Sequence, residues 1–167
     1  MTVAFLGLGS MGAAIVRRLL AADYAVVGWN RSADKAAPLV ELGMKVAATP
    51  KEAVARADIA FTILTDARAL EEVVTGADGV LQGLRPGTDL FDMSTISPQS
   101  SCAVAAMVKE RGGRMCDAPI SASIATLEQG NASLMVGGER DAFERAKPVL
   151  LAIGPKVMYV GANGQAL

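Results

Sequence analysis

Short apolar runs alternate with helix-period segments along most of the chain. Thr2–Leu6 has the run of a buried strand. From Ser10 to Ala22, Ile15 pairs with Leu19 and Val16 with Leu20, four apart and so on one helix face. Ala25–Trp29 predicts a second strand, and Ser32–Leu42 a second helix, capped by Ser32 and ended by Gly43. Thr49-Pro50-Lys51-Glu52 reads as a capping box: Thr49 caps, Pro50 suits the first helical position and Glu52 follows three after the cap. Ile59–Leu64 predicts a central strand, Ala67–Val74 a helix and Thr88–Asp92 another strand. Ser97-Pro98 opens a helix with Val104, Met107 and Val108 facing inward, and Gly112-Gly113 stops it.

Uninterrupted strand–helix alternation implies an α/β fold: a doubly wound, mostly parallel sheet with helices on both faces and right-handed crossovers. Beyond Arg114, three more strands are expected at Arg114–Ala118, Ala132–Val136 and Val157–Val160, with a helix at Asp141–Leu150 between the last two. These additional C-terminal strands carry the sheet past the six strands of the simplest dinucleotide fold. The 167 residues suit one domain, 1–167.

Composition removes several functions. The net charge of −1 offers no basic surface for nucleic acid and no acidic tail. The chain has no histidine, which excludes a Ser-His-Asp triad and most zinc sites; no metal is expected. Cys102 and Cys116 lack metal-ligand spacing and read as two buried thiols in a reducing compartment. No basic leader precedes Val3–Leu8 and no run reaches the roughly 20 apolar residues of a membrane span, so a cytoplasmic protein is expected.

The first strand and helix are joined by Gly7-Leu8-Gly9-Ser10-Met11-Gly12. A GxGxxG run carries weight in that strand–turn–helix context, as the fingerprint of a Rossmann-type dinucleotide site. Gly7 allows the tight turn, Gly9 leaves room for a pyrophosphate, and Gly12 lets helix and strand pack closely. The free N–H groups of the helix start then face the phosphates. The Gly-Lys-Ser/Thr of a nucleoside-triphosphate loop is missing, so ATP hydrolysis is not expected.

An NAD site places a carboxylate about 20 residues on, at the end of the second strand. Here the chain reads Trp29-Asn30-Arg31-Ser32, and the nearest carboxylate, Asp34, falls inside the next helix. Arg31 can pair with a 2′-phosphate through parallel hydrogen bonds and stack on adenine, and Asn30 and Ser32 can add donors. NADP is therefore expected over NAD. Leu64-Thr65-Asp66 and Met93-Ser94-Thr95 end two later strands, where ligands bind in an open parallel sheet. Asp66 and Ser97 also have the chemistry of helix caps.

These motifs resemble the β-hydroxyacid dehydrogenases, the family of 3-hydroxyisobutyrate dehydrogenase and 6-phosphogluconate dehydrogenase. The resemblance covers essentially the whole chain, as such an enzyme's N-terminal domain. It rests on the GLGSMG loop, Asn30-Arg31-Ser32 (similar to NADP-preferring members), Leu64-Thr65-Asp66, Asp92–Pro98, and Asp117-Ala118-Pro119-Ile120-Ser121 followed by Gly130 and Met135-Val136-Gly137-Gly138. It implies that Leu64–Asp66 runs beside the adenine ribose and Thr95 lies near the nicotinamide ribose. It also implies a homodimeric or homotetrameric enzyme acting on a small carbonyl or hydroxyacid substrate.

The resemblance breaks on the substrate side. The family's Ser-Gly-Gly, which holds a substrate carboxylate, is here Ser121-Ala122-Ser123. Side chains at 122 and 123 narrow a backbone approach, although the Ser123 hydroxyl can donate. Imine reductases, similar in fold, also depart from Ser-Gly-Gly. The family's catalytic lysine is expected beyond Leu167, after a segment resembling Gly161-Ala162-Asn163-Gly164, and a helical substrate domain after that. Lys35, Lys45, Lys51, Lys109, Lys147 and Lys156 match no catalytic motif, so no catalytic residue is expected within this chain. The expected function is an NADP(H)-binding domain of a reductase, with an imine reductase or a non-catalytic nucleotide-binding module as alternatives.

Overall fold

The computed structural model describes residues 1–167. Nine strands form one sheet: β1 Thr2–Leu6, β2 Ala25–Trp29, β3 Lys45–Val46, β4 Ile59–Thr62, β5 Asp89–Asp92, β6 Arg114–Asp117, β7 Ile120–Ser121, β8 Ser133–Gly137 and β9 Lys156–Gly161. The spatial order is β3-β2-β1-β4-β5-β6-β8-β7, with β9 beside β8. The strands from β3 to β6 are all parallel. The antiparallel contacts begin where β8 meets β6 and β7. The expected α/β class and its additional C-terminal strands are therefore present.

Helices cover both faces: α1 Ser10–Ala21, α2 Ala37–Val40, α3 Pro50–Ala55, α4 Ala67–Thr75, α5 Val80–Gly83, α6 Pro98–Glu110, α7 Ile124–Glu128 and α8 Arg140–Ile153. The alternation of β1 divides the core in two. Val3 and Phe5 join a cluster with Ile15 and Leu19 of α1 and with Leu150 of α8. Ala4 and Leu6 join a second cluster with Val54 of α3, Leu70 of α4 and Val104 of α6. A strand covered on both faces has no polar side to show, which is why Thr2–Leu6 reads as a continuous apolar run. Phe5, Phe61 and Phe91 line up across β1, β4 and β5, with ring centroids 6.1 and 5.5 Å apart.

Some boundaries differ from the sequence pattern. The helix expected over Ser32–Leu42 is a 3-10 turn, Ala33–Ala36, followed by the short α2. Pro38 has no N–H to give the Asp34 carbonyl, so a single α-helix cannot run through. Ser32 occupies the capping position but its side chain makes no capping bond. Gly43, at φ +101°, ends the segment as expected. The strand expected to Leu64 stops at Thr62, after which only the Ile63 N–H still donates to a β1 carbonyl, that of Leu6. Thr49 does cap α3, accepting the Glu52 N–H at 3.1 Å, while the Glu52 carboxylate takes the N–H of Ala48 rather than that of the cap. Met107 is half-buried where Val104 and Val108 are buried. Only one thiol is buried: Cys116 is, and Cys102 is exposed on α6. No helix is long and apolar enough to cross a membrane.

Candidate cofactor site

The sheet grows from β1 in both directions, through β2 on one side and β4 on the other. The crevice at such a reversal, outside the carboxyl ends of the strands, is where open α/β sheets bind ligands. A cleft of about 610 Å³ lies there, within the range of small-molecule sites. It is lined by the glycine loop, by Trp29–Ser32 at the end of β2, by Ile63–Thr65 after β4, and by α4 with the turn to Gly79.

The three fingerprint glycines have distinct roles. Gly7 sits at φ +105°, and a β-carbon there would overlap the Ile63 carbonyl. A β-carbon on Gly12 would overlap the Gly7 carbonyl and touch Ile63 Cγ2 at 3.0 Å. Nothing in the chain lies within 4 Å of a β-carbon placed on Gly9. The protein's own packing thus requires glycine at 7 and 12 and leaves position 9 open toward the cleft. Gly9 caps α1 without a side-chain bond, and the first turn of α1 has no acidic residue. The N–H groups of Ser10, Met11 and Gly12 find no acceptor in the chain. A free helix N-terminus of this kind favours an anion.

At the end of β2, Arg31 and Lys35 both line the cleft and neither forms an ion pair. Lys35 is not among the expected site residues; it stands on the 3-10 turn Ala33–Ala36, and no local motif marks it. Asn30 is committed elsewhere. Its Oδ1 accepts the Leu8 N–H at 2.8 Å and its Nδ2 donates to the Ser32 carbonyl at 2.9 Å. Glu72 and Asp78 place carboxylates on the wall formed by α4 and the turn after it.

Other expected site residues lie outside the cleft lining. The Leu8 side chain is 1% exposed and belongs to the core. Asp66 caps α4, accepting the Ala69 N–H at 2.8 Å. Thr95 is exposed beyond the end of β5, and Ser97 caps α6 by accepting the Ser100 N–H at 3.1 Å. Ser121 ends β7, Ala122 is half-buried, and Ser123 caps α7, accepting the Thr126 N–H at 3.1 Å. The Ser123 hydroxyl also shares a hydrogen bond with the Thr126 hydroxyl at 2.8 Å, in which either can donate, so its oxygen is held against α7. All six lysines are exposed. No group of three His, Cys, Asp or Glu side chains is placed to hold a metal ion.

Two buried carboxylates stand side by side at the carboxyl end of the sheet, outside the cleft lining. Asp92 and Asp117 end β5 and β6 as register partners, both fully buried. Burial pushes Asp92 up to about 6 against hydrogen bonds from Ser94 and Thr62, and the Asp117 charge adds to the rise. Asp117 is well supplied with donors: Asn163 Nδ2 at 2.9 Å, the Gly164 N–H at 2.6 Å and the Ala166 N–H at 2.8 Å.

The family whose description is the NAD binding domain of 6-phosphogluconate dehydrogenase matches residues 2–161. The chain belongs to this family. Its fold superposes on 3-hydroxyisobutyrate dehydrogenase of Mycobacterium tuberculosis with TM-score 0.93 and 34% identity, over 99% of this chain and 56% of that one. Imine reductase of Myxococcus stipitatus, solved with NADP+, matches with TM-score 0.91 and 27% identity, over 99% and 56% of the two chains. A variant of that enzyme, solved with NAD+, matches at 25% identity with the same TM-score of 0.91 and the same coverage of 99% and 56%. The cytokine-like nuclear factor N-PAC of Xenopus tropicalis is 36% identical over 98% of this chain and 31% of its own length. The chain is thus a nucleotide-binding domain like those of the 3-hydroxyisobutyrate dehydrogenases and imine reductases. It spans just over half of the two enzymes and about a third of N-PAC.

Proposed function

We propose that the chain binds NADP(H) in preference to NAD(H) and serves an oxidoreductase. That enzyme transfers hydride between NADPH and a small carbonyl compound, a semialdehyde or keto acid on one side and a 3-hydroxyacid on the other. The observation that carries the preference is the pair of unpaired cations, Arg31 and Lys35, at the end of β2 where an NAD site offers a carboxylate. A 2′-phosphate there gains a bidentate guanidinium partner and a second positive charge. The loop 7–12 and the start of α1 take the pyrophosphate, with Gly9 giving it room. Leu64 and Thr65 pass beside the adenine ribose, and Thr95 near the nicotinamide ribose. The nicotinamide supplies the hydride; this chain's residues bind and orient it.

The reaction also needs a proton donor for the carbonyl oxygen. None of the chain's lysines but Lys35 lines the cleft, and Lys35 stands on the 3-10 turn Ala33–Ala36 that follows β2. We place that donor, the substrate pocket and the subunit contacts in a second, helical domain, with Ser121–Ser123 at the substrate edge of this one. Ala122, and the Ser123 hydroxyl engaged by α7, favour a second reading of the substrate as an imine. The likeness to N-PAC favours a further one, a nucleotide-binding module without turnover.

Trp29 is the chain's single tryptophan and lines the cleft. Its fluorescence reports NADPH and NADH titrations directly. Arg31→Glu removes a charge-assisted contact, so NADPH binding weakens about tenfold or more while NADH stays within about threefold. Equal losses for both cofactors would overturn the preference.

A further inference from the structure

A chain of hydrogen bonds runs from the cleft into the buried end of β5. The Leu64 N–H donates to Ser94 Oγ at 2.9 Å. The Ser94 hydroxyl donates to Asp92 Oδ1 at 2.6 Å, and the Thr62 hydroxyl donates to the same oxygen at 2.7 Å. The Ser94 N–H also points at that oxygen, at 3.3 Å. Asp92 Oδ2 is buried and has no partner. Across the ladder stands Asp117, a second carboxylate rather than a cation.

This arrangement is a poor way to stabilise a core. A buried carboxylate wants donors on both oxygens and a positive charge nearby, and Asp92 has neither. It does, however, orient one hydroxyl. Because Ser94 must donate to Asp92, its lone pairs are turned toward the Leu64 N–H, which has left the β4 ladder. Leu64 and Thr65 form part of the cleft wall.

We propose that Asp92 is a positioning residue for the cofactor cleft, fixing the Leu64–Thr65 wall through Ser94. The inference rests on the cofactor reading above and adds Asp92 and Ser94 to it.

The test pairs amide hydrogen exchange with NADPH titration read by Trp29 fluorescence. Ser94→Ala and Asp92→Ala should each speed exchange at Leu64 about tenfold, with Ile63, held by the Leu6 carbonyl at 3.0 Å, unchanged. Both should weaken NADPH binding about tenfold. Asp92→Asn keeps the accepting Oδ1 and should restore both readouts nearly to wild type. If Asp92→Ala does not fold, Ser94→Ala and Asp92→Asn carry the test. Faster Leu64 exchange with unaltered NADPH affinity would overturn the proposal. So would unaltered Leu64 exchange, or Ile63 and Leu64 loosening together. A wild-type chain that fails to bind NADPH refutes the cofactor reading itself, and this inference with it. A wild-type chain that binds NADPH, beside Ser94→Ala and Asp92→Ala chains that bind it equally well, refutes the inference alone.

Discussion

The side-chain oxygen of Asn30 accepts the backbone N–H of Leu8 at 2.8 Å, so the end of β2 holds the glycine loop in place. Asn30→Ala leaves that N–H unpaired in a half-buried place, which costs about 1–3 kcal/mol. Urea melts should show the loss, and NADPH and NADH should weaken together. Asn30→Asp keeps the acceptor, so stability should largely survive, while the new carboxylate opposes the 2′-phosphate and weakens NADPH more than NADH. An Asn30→Ala chain that melts and binds like wild type would remove Asn30 from the loop's support.

Burial of Asp92 links stability to pH. Its folded-state value, about 6, lies above the ordinary 3.8, so the folded chain holds the proton more tightly than the unfolded one. The contribution is full below the unfolded value and is lost as pH rises through about 6. Asp92→Asn should therefore gain on wild type by about 3 kcal/mol between pH 3 and 7. Urea melts of the two chains across that range should diverge, and parallel curves would contradict the assignment.

The two thiols should react very differently. Cys102 is exposed, whereas Cys116 is buried and its thiol is pushed up to about 12, chiefly by that burial. A disulfide reagent at pH 8 should modify one thiol in the folded chain and two in denaturant. Two rapid equivalents in the folded chain would contradict the burial of Cys116.

The central sheet was legible because its strands are covered on both faces. Thr2–Leu6 and Ala25–Trp29 emerge with the expected bounds. Lys45–Val46 and Ile120–Ser121 were missed because two-residue strands carry no alternation, and both residues of β3 are exposed. The four-residue α5 is too short to show a helical period. The cysteine reading failed at Cys102 because spacing says nothing about which face of α6 a residue occupies. At the site, the glycine loop and Arg31 were readable as local motifs. The tie from Asn30 to Leu8 was not, since it depends on β1 and β2 lying side by side. The same holds for Asp92 and Ser94, whose partners Thr62 and Leu64 are 30 residues away along the chain.

Gly9 tests the central claim, because the fold leaves its position empty and the proposed pyrophosphate would need that space. Gly9→Ala meets nothing within 4 Å, whereas Gly12→Ala overlaps the Gly7 carbonyl. Gly12→Ala should lose about 1–3 kcal/mol of stability. Gly9→Ala should melt within about 4 °C of wild type. The deciding measurement is NADPH titration of Gly9→Ala beside wild type, each with its melting curve. An intact melt with affinity reduced on the order of tenfold or more is the predicted result. An equally stable Gly9→Ala chain that binds NADPH as tightly as wild type would contradict the placement of the pyrophosphate at this loop.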